Sequence, residues 1–211
     1  MRQNDMNFLR FKKIFDNHSI IDARNIVAYF DHIDRRRLYE WQKKGYIIKV
    51  VNNYYVMAGK PVDDQVLKNI ACQIYHPSYI GLESALAYYG FIPEAVFQTV
   101  GITTRRNKTI RTPIGDFRYC SIQRSLFFGY TAVETGAARF FISDPEKTLL
   151  DSLYFLPFSD KKEVLEAMRF NIEEMGRLVD IAKMRNYLKL FSSRKLNKAV
   201  RRLMEAMDVK L

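Results

Sequence analysis

Apolar positions recur at helical spacing from Asn4 to Asp16, at Phe8, Leu9, Phe11, Ile14 and Phe15, and predict a first helix that stops before Asn17. Ser19 and Asp22 offer caps for a second, short helix over Ala23 to Phe30, with Ile26, Val27 and Phe30 on its apolar side. A third helix is expected from Asp31, whose carboxylate stands where an N-cap accepts first-turn N–H groups, to Gly45, placed for the left-handed residue beyond the end. Leu38 and Trp41, three apart, mark one narrow apolar face, the side on which Asp34 and Gly45 also fall. β-Branched and aromatic residues then fill Tyr46 to Val51 and Tyr54 to Met57, and the intervening Asn52-Asn53 tolerates positive φ, so a hairpin is predicted. Helix, short helix, helix and ribbon form the order of a winged helix-turn-helix. In that arrangement the third helix enters the major groove of DNA and the ribbon lies on the backbone or minor groove.

The pattern changes after Lys60-Pro61, which divides the chain into an expected winged-helix unit, 1–60, and a second domain, 61–211. Val62 to Tyr75 has Val66, Leu67, Ile70, Ala71 and Ile74 on one side of a helix, and His76-Pro77 ends it, because the residue before proline is driven out of helical φ/ψ. Another helix is expected from Leu82 to Tyr89, closed by Gly90. Five β-rich runs follow: Val96 to Thr104, Thr109 to Thr112, Gly115 to Gln123, Phe127 to Val133 and Ala138 to Ser143. They are separated by turn residues such as Arg106-Asn107-Lys108 and predict a small antiparallel sheet. Asp144 followed by Pro145 opens a helix that runs to Pro157. Three more, Asp160 to Phe170, Ile172 to Leu190 and Ser193 to Asp208, form a C-terminal helical part. The fold class is α+β.

Charge sharpens this picture. The net charge of +11 divides into 12 Lys/Arg against 6 acids in 1–60, 9 against 9 in 61–157, and 13 against 8 in 158–211. Two basic ends with a neutral middle suit a phosphate backbone, which rewards cations by counterion release. No stretch approaches the ~20 apolar residues of a membrane span, and the N-terminal helix lacks a broad apolar face for a bilayer surface, so a membrane partner is not expected. Two cysteines in unlike contexts, Cys72 and Cys120, without an apolar leader ahead of a cleavage site, point to a cytoplasmic protein with reduced thiols.

On the third helix His32, Arg36, Tyr39 and Lys43 project away from the Leu38/Trp41 side, with Arg35 and Lys44 on the flanks. Together with Lys49, Asn52 and Asn53 of the ribbon they are the candidate DNA-binding residues. A merely solvated basic face is the plain alternative; the ribbon, the preceding helices and the overall charge weigh against it. In the last helix Leu196, Val200, Leu203 and Met207 form an apolar stripe, and Arg194, Lys198, Arg201 and Arg202 lie away from it, either as a solvated face or as a second nucleic-acid contact. Asp144, Glu146, Lys147 and Asp151 cluster in the first turns of one helix, where capping and the helix dipole explain the acids at the start without chemistry. Glu83, Ser84, Tyr88 and Tyr89 read as capping and core residues. His18, His32 and His76 are scattered, and neither a glycine-rich phosphate loop nor a ligand pair is present. The reading is against an enzyme, a metal or a cofactor.

Four motifs in order, KKGYIIKVVNNYYV, PSYIGLESALAYYGFIPE, LFFGY at 126–130 and SDPEKTLLDSLYF at 143–155, resemble the AbiEi antitoxins of type IV toxin-antitoxin and phage-defence loci, over roughly residues 5–157. Relatives commonly carry a basic or glycine residue at the wing tip, where this chain has Asn52-Asn53. The resemblance implies a winged helix that binds inverted repeats upstream of its own operon. It also implies a C-terminal antitoxin domain that opposes an AbiEii-like nucleotidyltransferase toxin without forming a stable complex. The alternative is a stand-alone winged-helix transcriptional regulator with no cognate toxin.

Overall fold

The structure, a computed structural model, describes residues 6–30, 34–136, 138–158 and 162–207. It is mixed α+β, with one three-stranded and one six-stranded sheet. Helix α1 (Phe8–Phe15) starts at Asn7, whose side chain accepts the N–H of Arg10, and buries Phe11 and Phe15. The second helix expected over Ala23 to Phe30 is corrected to a single 3-10 turn, Asn25–Ala28, preceded by strand β1 (Ile21–Asp22). Asp22 does not cap a helix, because its backbone pairs with Tyr54 and its carboxylate is taken by Arg24. Helix α2 (Arg35–Lys43) leads into the predicted hairpin, β2 (Ile47–Val51) and β3 (Tyr54–Met57), with Asn53 at φ 66° in the turn. Strand β3 lies between β1 and β2, all antiparallel.

Alternation along β3 sends residues to two different cores. Tyr55 and Met57 pack with Phe11, Phe15, Ile26, Leu38 and Trp41, whereas Tyr54 and Val56 face helix α3 (Asp64–Ile74). Lys60-Pro61 is therefore a change of element without a break in packing. Ile20, Val50 and Val56 share one apolar cluster with Ile70, Ala71 and Tyr75 beyond it.

The six-stranded sheet corrects the expected antiparallel one. It contains β4 (Ser78–Ile80), β5 (Gln98–Thr103), β6 (Lys108–Thr112), β7 (Gly115–Ser121), β8 (Tyr130–Thr135) and β9 (Ala138–Ser143), in the order β6-β7-β5-β4-β9-β8. Pairs β5/β7 and β4/β9 are parallel. Two placements cause this: β6 lies outside β7, so that β7 returns beside β5, and β4, three buried residues too short to show a period of its own, is inserted between β5 and β9. At its end Gly81 passes so close to β5 that a Cβ there would stand 2.6 Å from Cδ1 of Ile102. Helix α4 (Leu82–Tyr88) follows, and α5 (Pro145–Phe155) has the predicted Asp144 cap and proline start.

The C-terminal part comprises α6 (Lys162–Ala167), α7 (Ile172–Leu178), α8 (Ile181–Phe191) and α9 (Arg194–Ala206). The single helix expected over Ile172 to Leu190 is broken, because Val179 is extended and Asp180 caps a new helix by accepting the N–H of Lys183. The Asp180 N–H is itself held by Oε1 of Glu146 at 2.7 Å. The expected helix start at Asp160 and end at Asp208 lie outside the described residues. Among the described residues no helix is long and apolar enough to cross a membrane.

Candidate nucleic-acid interface

Helix α2 is held at both ends by its own sequence. Its cap is Asp34, whose carboxylate accepts the N–H of Arg36 at 2.9 Å; Asp34 therefore does not continue the helix face that Leu38 and Trp41 define. The cap assigned to Asp31, and the candidate His32, lie outside the described residues. At the other end Gly45 takes φ 71°, its N–H reaches the Gln42 carbonyl and the Tyr46 N–H reaches the Trp41 carbonyl, the paired bonds of a Schellman motif. Leu38 and Trp41 are buried, with the indole 4.9 Å from the ring of Phe11 and edge-on to Phe8 at 5.4 Å.

The opposite side is open. Arg35, Arg36, Tyr39, Lys43 and Lys44 are all exposed, and the spacing of Arg36, Tyr39 and Lys43 puts them on one face. Tyr39 is 59% exposed, and the Lys43 ammonium sits 4.9 Å from its ring centre, so the two present a cation and an aromatic plane together. Glu40, also exposed, shares that face and was not singled out in the sequence; a carboxylate there suits the amino group of a cytosine. In the hairpin Asn52 is exposed, while Lys49 and Asn53 are half-buried, Lys49 lying opposite Tyr55 beside an irregularity in the β2/β3 register.

Sequence reasoning missed Arg24. Its guanidinium holds Asp22 at 2.6 Å, donates to the Tyr54 hydroxyl at 2.7 Å and lies over the Tyr54 ring, directly beside the hairpin turn. Burial by itself would raise the Asp22 carboxyl, but the hydrogen bonds and charge of Arg24 outweigh it and hold Asp22 below its ordinary range. The signal lay in the strand pairing of Asp22, which no local pattern revealed.

The second candidate set rests on a different core. In α9 the residues Leu196, Val200 and Leu203 are buried and Met207 is partly buried, as the stripe predicts. Arg194, Lys198 and Arg201 are exposed. Arg202 turns aside: it is half-buried and lines a cavity of about 460 Å³ with Lys162, Glu166, Arg169 and Phe170 between α6 and α9.

The cluster at the start of α5 is a buried joint. Lys147 and Asp151 are fully buried and paired, the Tyr79 hydroxyl from β4 donates to Asp151 at 2.8 Å, and the ammonium lies among the rings of Tyr79, Phe128 and Phe191. Burial is the main influence on both members: it pushes the Asp151 carboxyl up to about 6 and draws the Lys147 ammonium down, with their mutual attraction working against it. Gly129, at φ 67°, rests on the Lys147 side chain. Asp144 and Glu146 bind Lys183 of α8 at 3.0 and 2.8 Å. Tyr130 stacks on Tyr79 at 4.9 Å, and the Tyr89 hydroxyl donates to the Ser143 carbonyl. Residues from PSYIGLESALAYYGFIPE, LFFGY and SDPEKTLLDSLYF thus meet in one interior joint of strand, loop and helix. Among the described residues no group of three or more His, Cys, Asp or Glu is arranged to hold a metal ion.

Among solved structures the chain is similar to the RV2827C protein from Mycobacterium tuberculosis, with a TM-score of 0.61 and 10% sequence identity over 98% of this chain and 78% of that one. No family model and no curated protein matches the chain. The likeness is therefore one of fold.

Proposed function

We propose that this protein is a DNA-binding regulator whose first 60 residues form a winged helix, with α2 as the reading helix and the β2/β3 hairpin as the wing. One observation supports this above the others: a helix fixed at both ends and anchored by Leu38 and Trp41 presents Arg36, Tyr39 and Lys43 on one exposed face. Arg36 and Tyr39 contact base edges, and Arg35, Lys43 and Lys44 hold phosphates. Arg36→Ala is expected to cost ~1–3 kcal/mol on the cognate operator and to relax discrimination at one base position. A gel-shift titration in which R36A binds operator and scrambled duplexes as the wild type does would remove α2 from the groove.

On the resemblance of its motifs we propose further that the protein is a cytoplasmic AbiEi-type antitoxin. It represses its own operon at inverted repeats and counters an AbiEii-like nucleotidyltransferase without a stable complex. The three motifs beyond the hairpin build an interior joint, so the surface that acts against the toxin is sought elsewhere, and α9 is the candidate. Changing Arg194, Lys198, Arg201 and Arg202 to Gln separates two roles for that helix. Each phosphate that α9 no longer holds should flatten the slope of log K against log salt by ~0.9 with base preference intact. An unchanged slope, with failure to neutralise the co-expressed neighbouring gene product, assigns α9 to the antitoxin activity instead. A neighbouring gene that is not toxic when expressed alone favours a stand-alone regulator.

A further inference from the structure

The neutral charge of residues 61–157 conceals a local excess: residues 104–111 hold Arg105, Arg106, Lys108 and Arg111 and no carboxylate. Three of these surround the C-terminal end of α3. Arg105 lies over the Tyr75 ring at 4.2 Å and donates to the His76 carbonyl, and the Lys108 ammonium is 5.1 Å from the same ring. The Tyr75 hydroxyl donates to the backbone carbonyl of Arg106, fixing the β5–β6 turn against the helix end. All three cationic side chains are exposed.

A line of direct contacts joins this turn to the hairpin. The Asn53 carbonyl accepts the N–H of Ala23, and the neighbouring Arg24 donates to the Tyr54 hydroxyl. That hydroxyl donates to the carbonyl of Gln73, two residues before Tyr75, at 3.0 Å. The one acid on this line, Asp22, is already paired with Arg24. The hairpin and the basic turn are therefore braced against the same helix end, one through Tyr54 and the other through Tyr75.

We infer that Arg105, Arg106 and Lys108 extend the DNA-binding surface beyond the wing, holding backbone phosphates of duplex DNA that flanks the segment read by α2. This inference rests on the DNA-binding reading of the N-terminal unit. It assigns the second domain a part in DNA affinity without sequence preference, since these cations sit at a turn between two strands, with no helix to carry them into the major groove, and so address phosphate charge. It also lengthens the footprint on the wing side.

The test uses the full chain and random-sequence duplexes of two lengths, one confined to about one helical turn and one several turns long. On the long duplex R105Q/R106Q/K108Q is expected to flatten the slope of log K against log salt by ~2–3, and R106Q alone by ~0.9. On the short duplex the triple variant should match the wild type. R106Q leaves the cation contacts to Tyr75 and the backbone bond in place, so its result stands even where the triple variant melts early. A wild-type slope for R106Q and the triple variant on the long duplex, with R36A/K43A weakened, overturns the extended surface while leaving the reading helix intact. A wild-type chain that binds neither duplex overturns both.

Discussion

Trp41→Ala is expected to lower the stability of the protein by ~3–5 kcal/mol, the cost of emptying a large aromatic site in a core that cannot collapse around it. The site is small and shared. Trp41 is 5% exposed and touches Phe8 and Phe11 of α1, and its carbonyl receives the Tyr46 N–H that closes α2. Its removal frees α1 from α2 and so loosens the helix that holds Arg36 and Lys43. Because Val50 and Val56, on the far face of the three-stranded sheet, pack with Ile70 and Tyr75, the loss should appear in the main unfolding transition rather than in a separate early one. Urea unfolding followed by far-UV circular dichroism measures it. An unchanged midpoint accompanied by lost DNA binding would instead place the indole on the DNA side.

Where local chemistry decides the structure, the sequence already says so. Gly45, Asn52-Asn53, Gly90 and Asp144-Pro145 are each forced by backbone geometry or by orphan N–H groups, and hairpin, caps and helix starts fall where they predict. The apolar faces of α2, α3 and α9 were legible for the same reason: period 3.6 is a property of one segment. What stayed hidden depends on partners remote in the chain. Asp22 looks like a helix cap until β3 pairs with it, and Asp180 sits inside an apparently continuous helical pattern until Glu146 takes its N–H. Strand β4 is three residues long and defined only by its neighbours, and nothing local to β6 or β7 says that β7 returns beside β5, so the mixed order of the large sheet could not be read. The exposed basic face of α2 was legible because it is local. The basic turn at Arg105–Lys108 was not, since counting charge over 61–157 averages it away and only Tyr75 gives it a direction.

The Lys147–Asp151 pair gives the largest expected effect of charge on this fold. Lys147→Met keeps length and apolar bulk but leaves Asp151 fully buried with the Tyr79 hydroxyl as its remaining donor, and breaking a buried pair in this way costs ~3–5 kcal/mol at neutral pH. The loss should depend on pH in a defined direction. In the wild type burial already raises Asp151 from 3.8 to about 6, so between these values the folded state binds the proton more tightly than the unfolded one and gains stability as pH falls. Without the ammonium the carboxyl is driven higher still, and the variant becomes less stable with rising pH by up to ~1.4 kcal/mol per unit through neutrality. Its deficit against the wild type should therefore grow above about pH 6, where the wild-type Asp151 ionises and that of the variant does not, and level off below it, where both folded proteins hold the proton. K147M/D151N removes both charges and keeps an oxygen to accept from Tyr79, so it should recover most of the stability that K147M loses, because well-packed neutral replacements of a buried pair cost little. Urea midpoints of the three proteins at about pH 5 and about pH 7 measure this. If the double variant is no more stable than K147M and the deficit does not move with pH, the loss comes from the lost contacts of the Lys147 ammonium with the Phe128 and Phe191 rings, and the charge of Asp151 is not what the pair compensates.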